Sequence, residues 1–363
     1  MWRTSGGLRI IDVSDPANPQ IRGNLLSLEV SRSTFVSGSY CYLGDYPYGL
    51  KIVNISDPDN PTLVADYRGI SGVRDVAVSG NYAYNAVYFD GLAIVDISDP
   101  ANPTLAGSYD TPGFSNAVFI DGYYAYVADG QGGLQIIGVY YPNNPVFVGS
   151  YDTPFSTSGV WVSGNYAYVA DLTTGLIILN IADPTNPTLV SIFDTQTAYS
   201  VHVDGNYAYV SDGFGGLLVI DVSDPANPRL VESYDTPGIA FSSAVNGDNV
   251  FVADFYSVLV LNSGLTRIND DSPRIPGTAS LFQNYPNPFN ARTTIQYSLP
   301  RQSTVSIDIF DLLGRRVKTL EDGLKPAGNH QATWDASAQA SGIYFYKIQA
   351  GDFVETKKMV LLK

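Results

Sequence analysis

Residues 115–156 read SNAVFIDGYYAYVADGQGGLQIIGVYYPNNPVFVGSYDTPFS, and this stretch decides the fold. It holds four short runs rich in Val, Ile, Tyr and Phe: Asn116 to Ile120, Tyr124 to Ala128, Leu134 to Val139 and Val146 to Tyr151. Asp-Gly, Gly-Gly and Pro-Asn-Asn-Pro breaks separate them, which predicts four antiparallel strands joined by tight turns. The unit recurs. Gly7-Leu8, Gly49-Leu50, Gly91-Leu92, Gly133-Leu134 and Gly175-Leu176 stand 42 residues apart, and Gly216-Leu217 follows after 41. Asn-Pro pairs ending at Pro19, Pro61, Pro103, Pro145, Pro187 and Pro228 keep the same step. Four short strands in a repeat of roughly 40 to 45 residues form one blade of a β-propeller.

The breaks have physical reasons. In Asp15-Pro16-Ala17-Asn18-Pro19 and its copies the two prolines fix φ, and Asp and Asn bond the local backbone, closing the hairpin between third and fourth strands. Tyr82 and Tyr84, Tyr124 and Tyr126, Tyr166 and Tyr168, and Tyr207 and Tyr209 sit two apart, so each pair shares a strand face and is expected to pack between blades.

Leu217-Leu218-Val219-Ile220-Asp221 and Leu92-Ala93-Ile94-Val95-Asp96 resemble the LVIVD repeat family over residues 6 to about 262. The resemblance implies a propeller of bacterial or archaeal surface-associated proteins and brings no catalytic residue. Gly138-Val139-Tyr140-Tyr141-Pro142 departs from it by losing both aspartates of the turn. Seven third-strand segments face only six first-and-second-strand pairs, and the last unit, 242–262, lacks the Asn-Pro turn. The expected propeller therefore has six blades and a leading half-blade, as in a seven-bladed ring truncated at its N-terminus. The alternative is a six-bladed ring whose leading segment supplies the strand missing from the last blade. The start also lacks the apolar run of a secretory signal, in line with truncation.

Charge narrows the function. The chain carries a net −15; residues 1–272 hold 9 Lys and Arg against 28 Asp and Glu, the remainder 11 against 7. Such an acidic body argues against nucleic acid and anionic membrane. No apolar run is long enough to span a bilayer as a helix. The single Cys41 has no disulfide partner. His202 aligns with Phe35, Ala77, Phe119, Trp161 and Ala244, which marks a packing position. Asp129, Asp171, Asp212 and Asp254 each close a second strand; a ring of carboxylates there could hold calcium, but no calcium-loop motif accompanies them, so turn capping is preferred and no cofactor or metal is expected. Gly130-Gln131-Gly132-Gly133 enters a strand rather than opening a helix, which rules against a phosphate loop.

Loops after first and third strands lie on one face of a propeller and those after second and fourth strands on the other. The former repeat closely, as Ser79-Gly80-Asn81 and Asp121-Gly122-Tyr123 show. The latter vary and carry aromatics. In chain order these are Tyr46 and Tyr48, then Tyr88, Phe89 and Phe114, then Phe155, Tyr199 and Phe214, and finally Phe241, Phe255 and Tyr256, the expected ligand-binding positions.

After Asn262 the texture turns to Ser, Asn, Asp, Pro and Gly, giving a linker over 263–280 between the propeller, 1–262, and a second β domain, 281–363. Strands are expected at Thr293 to Ser298, Val305 to Phe310, Arg316 to Leu320, Gln331 to Trp334, Ile343 to Gln349 and Thr356 to Leu361, in a small sandwich. Tyr285-Pro286-Asn287-Pro288-Phe289-Asn290, Asp311-Leu312-Leu313-Gly314-Arg315-Arg316-Val317, Trp334-Asp335, Ser341-Gly342-Ile343-Tyr344-Phe345-Tyr346 and Lys357-Lys358-Met359-Val360-Leu361-Leu362-Lys363 resemble the type A sorting domain of the bacterial type IX secretion system, and more distantly the immunoglobulin-like domain of the flagellar hook-capping protein. Ala291 stands where that family often has Pro. The resemblance implies an Ig-like sandwich, recognition by the type IX translocon after a first export step, and a secreted or outer-membrane surface address in a Gram-negative bacterium. It places Pro286, Asn287, Pro288, Phe289, Asn290, Gly314, Gly342, Tyr344, Lys357, Lys358 and Lys363 in the sorting motif.

The expected function is therefore a non-enzymatic binding propeller with a glycan or surface protein as ligand. A hydrolase or lyase acting on polysaccharide or lactone, and a purely structural spacer, are the competing readings. The enzyme reading lacks a paired-carboxylate or histidine constellation in the sequence.

Overall fold

The computed structural model describes residues 7–16, 18–26, 30–247, 249–255, 257–262, 279–284, 287–299, 301–326, 328–351 and 353–362. The chain divides into two compact units, Met1–Arg267 and Ile268–Lys363, and no helix occurs among the described residues.

The first unit is a propeller. Five antiparallel sheets of four strands follow one another at 30–67, 73–109, 117–151, 157–193 and 200–234, called blades 1 to 5. Blade 6, 240–262, has three strands among the described residues, and Gly7–Asp12 pairs with Gln20–Leu26 as a separate two-stranded sheet. This half-blade does not complete blade 6. Its strands pair with each other, Leu8 and Leu25 pack against Cys41, Leu43 and Val53 of blade 1, and the Arg22 guanidinium clasps the Asp59 carboxylate at 2.5 and 2.7 Å.

The paired tyrosines behave as their spacing predicts. Tyr84 packs with Val118 and Val127 of the next blade, Tyr126 with Val160 and Val162, and Tyr209 with Val250 and Val252. Each of these rings is at most 5 % exposed, while Tyr82, Tyr124 and Tyr207 lie half-buried behind them. Withdrawing a side chain of this size from water stabilises by about 2 kcal/mol, so the blade-to-blade seams hold the ring together.

The turns between third and fourth strands are spent on the same task. In blade 1 Asn60 donates its backbone N–H to the Asp57 carbonyl and its side-chain amide to the Asp57 carboxylate; Asn102 with Asp99 and Asn227 with Asp224 repeat this. These turns also abut the preceding blade. A Cβ on Gly107 would lie 2.4 Å from the Pro142 carbonyl oxygen, and one on Gly149 2.3 Å from that of Pro184, so these two fourth strands need a glycine where the next turn docks, while in blade 4 the Ser191 hydroxyl donates to the Pro225 carbonyl instead.

The second unit pairs Ser280–Leu281, Arg292–Leu299 and Gly328–Asp335 in one sheet, and Arg316–Lys325, Ser303–Asp311, Gly342–Ala350 and Phe353–Leu361 in another. Ile295, Tyr297, Ile307, Ile309, Trp334 and Tyr346 fill the space between as one core, the arrangement of a sandwich.

Candidate functional site

The face formed by loops after second and fourth strands opens on a central channel of about 920 Å³, walled by the first strands of all six blades and by Gly7 to Arg9. Its rim is set by an irregularity of those strands. In blade 1 the register passes from Ser31 opposite Asp45 to Ser33 opposite Gly44, leaving Arg32 as an extra, unpaired residue. Arg74, Ser158 and Phe241 are left over in the same way in blades 2, 4 and 6. A bulge residue is freed from the ladder and its side chain is re-aimed. Asn116 and Tyr199 hold the equivalent places in blades 3 and 5, directly before the residues paired to Ala128 and Ser211. All six residues line the channel. Around the ring the position therefore reads Arg, Arg, Asn, Ser, Tyr, Phe.

The aromatics expected to bind a ligand fall into groups around this rim. Tyr88 stacks on Phe114 at 4.9 Å and meets Phe89 edge-on at 4.7 Å, with Phe89 65 % exposed. Tyr199 contacts Phe241 at 5.1 Å, and Phe241 contacts Phe255 at 6.2 Å. Tyr46 lies beneath both rim arginines: the Arg32 guanidinium carbon is 5.6 Å and that of Arg74 5.4 Å from its ring centre. Tyr48 faces Arg68 at 5.1 Å. Phe155 and Phe214, both exposed, join neither cluster among the described residues. Tyr256 lies outside the described residues. Arg32 and Arg74 escaped the sequence reading, although aligning the repeats puts two basic residues at one equivalent position.

The carboxylates that could have formed a calcium ring are bound into the fold instead. Asp129 accepts hydrogen bonds from the Thr111 and Ser115 hydroxyls and from the Gly113 N–H at 2.7 Å, and burial nevertheless holds its carboxyl above the usual range. Asp171 accepts from the Phe155 and Thr174 N–H groups, Asp212 from Gln196 and Thr197, and Asp254 from Gly238. Each carboxylate so anchors the loop that enters its own blade. Among the described residues no three His, Cys, Asp or Glu side chains converge as a metal site. Blade 1 substitutes an ion triad, Lys51 lying 2.9 Å from both Asp45 and Asp66. Burial weakens the Lys51 ammonium, and the bonds to the two carboxylates more than offset this, so its pKa is raised. Blade 2 has Val87 at this place and no anchor.

Deeper in the channel, Phe119, Trp161 and His202 form a row of mutually tilted rings with centroid separations of 4.8 and 4.0 Å. His202 thus packs as expected, on the channel wall, and burial lowers its pKa. Asp75 shares that wall; its oxygens accept the Val76 and Val118 N–H groups, and burial lifts its pKa to about 6. Burial raises the Cys41 thiol to about 11, which leaves it inert.

In the second unit the sorting-motif residues are mainly structural. Phe289 is buried against Trp334, which meets Tyr344 at 5.1 Å. Phe289 donates its N–H to the Val360 carbonyl and accepts from the Leu362 N–H, and the Asn287 side chain accepts from the Val360 N–H, so the start of the motif is stapled to the last strand. Gly314, at φ 75, closes a turn whose Asp311 carboxylate accepts from the Leu313 and Arg315 N–H groups. That turn leaves Leu312 and Leu313 exposed. Pro288, Asn290, Gly342 and Lys358 are exposed, and Lys357 pairs with Glu355 at 3.3 Å. Ala291 has φ 65, a value closed to proline, which accounts locally for the departure at that position. Pro286 and Lys363 lie outside the described residues.

Comparisons with known proteins agree with this architecture. The LVIVD repeat is matched at residues 4–26, 31–68, 72–111, 112–153, 156–195 and 197–236, and the secretion system C-terminal sorting domain at 283–362. Among solved structures the chain is similar to PorZ, described as an essential bacterial surface component of the type-IX secretion system of Porphyromonas gingivalis, with 13% identity and a TM-score of 0.50. That match covers 91% of this chain and 51% of PorZ, so the chain spans about half the length of that protein. The β-propeller domain of Cps50 (Swd1) from Myceliophthora thermophila is similar at 12% identity and a TM-score of 0.55, over 71% of this chain and 91% of that one. The WD40 domain of Neurospora crassa Pan2 is similar at 10% identity and a TM-score of 0.50, over 65% and 76%. These likenesses speak for the fold alone. No curated protein matches the chain. The C-terminal unit links the protein to a secretion system and to a secreted or cell-surface location. With repeat matches over more than half of its length, the chain belongs to the LVIVD repeat family and carries a type IX sorting domain behind a propeller of six blades and a leading half-blade.

Proposed function

We propose that the protein is a non-enzymatic binding module, displayed at the outer-membrane surface of a Gram-negative bacterium by its sorting domain, with its ligand held at the channel rim and the aromatic loops around it. The observation that carries this reading is the inequality of the two faces. One repeats the same hydrogen-bonded turns, whereas the other presents five different residue types from its six blades at one equivalent position. Variable groups on a rigid scaffold are where recognition resides. The enzyme reading finds a perturbed carboxyl in Asp75, but both its oxygens already accept backbone N–H groups, and among the described residues no second carboxylate lines the channel.

The test has two parts. In a bacterium with the type IX system, the full chain behind a functional signal peptide should reach the surface, and deletion of residues 281–363 should hold it back; equal display of both forms would refute the sorting role. Screening the displayed chain against glycan and surface-protein arrays should then give a ligand whose binding is lost on Phe89→Ala or Phe255→Ala. Loss instead on changing the Asp-Pro turns would place the binding face at the other end.

A further inference from the structure

We infer that the rim between blades 1 and 2 is a carboxylate-binding subsite, formed by Arg32 and Arg74, that takes an acidic saccharide. This rests on the binding-face reading above and names the ligand chemistry of one sector of it.

The charges of the propeller make the site conspicuous. Residues 1–272 hold 9 basic side chains against 28 acidic ones, yet Arg9, Arg32 and Arg74 all line the channel. The Arg32 and Arg74 guanidinium carbons both lie within 5.6 Å of the centre of the same Tyr46 ring, and Arg74 lies 4.1 Å from that of Tyr88. Among the described residues neither arginine has an ion-pair partner, and the Arg74 Nε is out of solvent with no hydrogen-bond acceptor. The nearby carboxyl of Asp75 is turned to backbone amides. Ring faces attract a cation but do not neutralise it, so two like charges share one ring, with the Arg74 Nε donor unspent. Burial, and then the charge of Arg32, depress the Arg74 pKa, as that crowding requires.

An anion between the two forks would satisfy both, and a planar carboxylate matches the guanidinium fork in bidentate fashion. The surroundings select its carrier. Phe89, exposed, and Phe114, stacked on Tyr88, offer flat apolar faces beside the charges, suited to the C–H face of a sugar ring. The surplus of acids over the rest of the propeller repels densely charged polymers, so a saccharide with one carboxylate per ring fits better than a polyphosphate.

The test is titration calorimetry on the full chain with three probes at low salt: a galacturonic acid trisaccharide, the neutral maltotriose, and a glutamate-rich hexapeptide. The uronate should bind at least tenfold more tightly than maltotriose, and its affinity should fall at least threefold between 50 and 300 mM salt as the ion pairs are screened. Arg32→Gln and Arg74→Gln should each weaken it at least tenfold with a cooperative thermal melt retained. Arg74→Lys, which keeps charge and loses the fork, should weaken it by a smaller factor. Equal binding of the neutral sugar, no uronate binding, or unchanged affinity in both Gln variants would overturn the proposal. Preference for the peptide would overturn it in favour of a protein partner. An array ligand that needs Phe89 or Phe255 but tolerates both Gln variants would leave the binding face standing and sink this subsite alone.

Discussion

The two faces of the propeller are built from loops of the same repeat, and they spend their polar groups differently. On the Asp-Pro face each turn closes on itself, Asn102 onto Asp99 and Asn227 onto Asp224, and docks against the preceding blade. Little is left there to offer a ligand. On the opposite face the anchoring has moved inward, to the buried carboxylates of Asp129, Asp171, Asp212 and Asp254. The loops above are held from below, and their outer side chains are free to differ. Rigidity from beneath and diversity on top is the combination that recognition needs.

Breaking the anchors should therefore hurt most where they are deepest. Lys51→Met leaves the buried Asp45 without its cation, while Asp66 keeps Arg68; urea unfolding should show a loss of about 3 kcal/mol, since an uncompensated buried charge is left behind. A loss as small as that of a surface substitution would mean that the triad is not the anchor of blade 1. Asp129→Ala should cost about 2 kcal/mol by the same measurement, because two hydroxyls and one N–H lose their acceptor in a buried place.

A pH series sharpens the contrast. The Asp75 carboxyl should titrate near 6 by carbon-detected NMR, against about 4 for an unperturbed aspartate. The folded state then holds its proton where the unfolded state has lost it. Stability from this group should be greatest below about pH 4 and fall as pH rises through 6, by up to about 2 kcal/mol, and Asp75→Asn should flatten that slope. The turn aspartates behave oppositely: the Asn102 side chain and the Ala101 N–H hold Asp99 below the usual carboxylate range, so Asp99→Ala should lower the thermal midpoint less than Asp129→Ala does, and only at pH values where Asp99 is ionised. Smallest of all, Phe214→Ala should leave the melt unchanged, its ring being 78 % exposed, and be felt only in ligand binding.

The strands were legible because a period of two, β-branched and aromatic residues and Gly or Pro punctuation all point the same way; Tyr124–Ala128 and Val146–Tyr151 match to the residue. The turn aspartates were legible for the same reason, since their bonds span two or three residues. What stayed hidden depends on register. Nothing in Val73-Arg74-Asp75 announces that Arg74 is skipped by the ladder, because a bulge is a mismatch between two strands and not a property of one. The acidic total likewise concealed two arginines meeting over Tyr46. An average over the chain says nothing about where the few cations gather.

The bulge also makes the rim a writable position. In blades 1, 2 and 6 the bulged side chain takes part in no strand pairing, so its identity can change without touching a ladder, whereas the Asn116 amide and the Ser158 hydroxyl donate to carbonyls of the next blade at 2.8 to 2.9 Å. Such places around one opening act like the dials of a combination lock. Exchanging whole blades in the gene would rotate the Arg, Arg, Asn, Ser, Tyr, Phe pattern about the axis while every hairpin kept its partner. Respelling that one residue in blades 1, 2 or 6 would thus change the rim with the strand pairing left as it is.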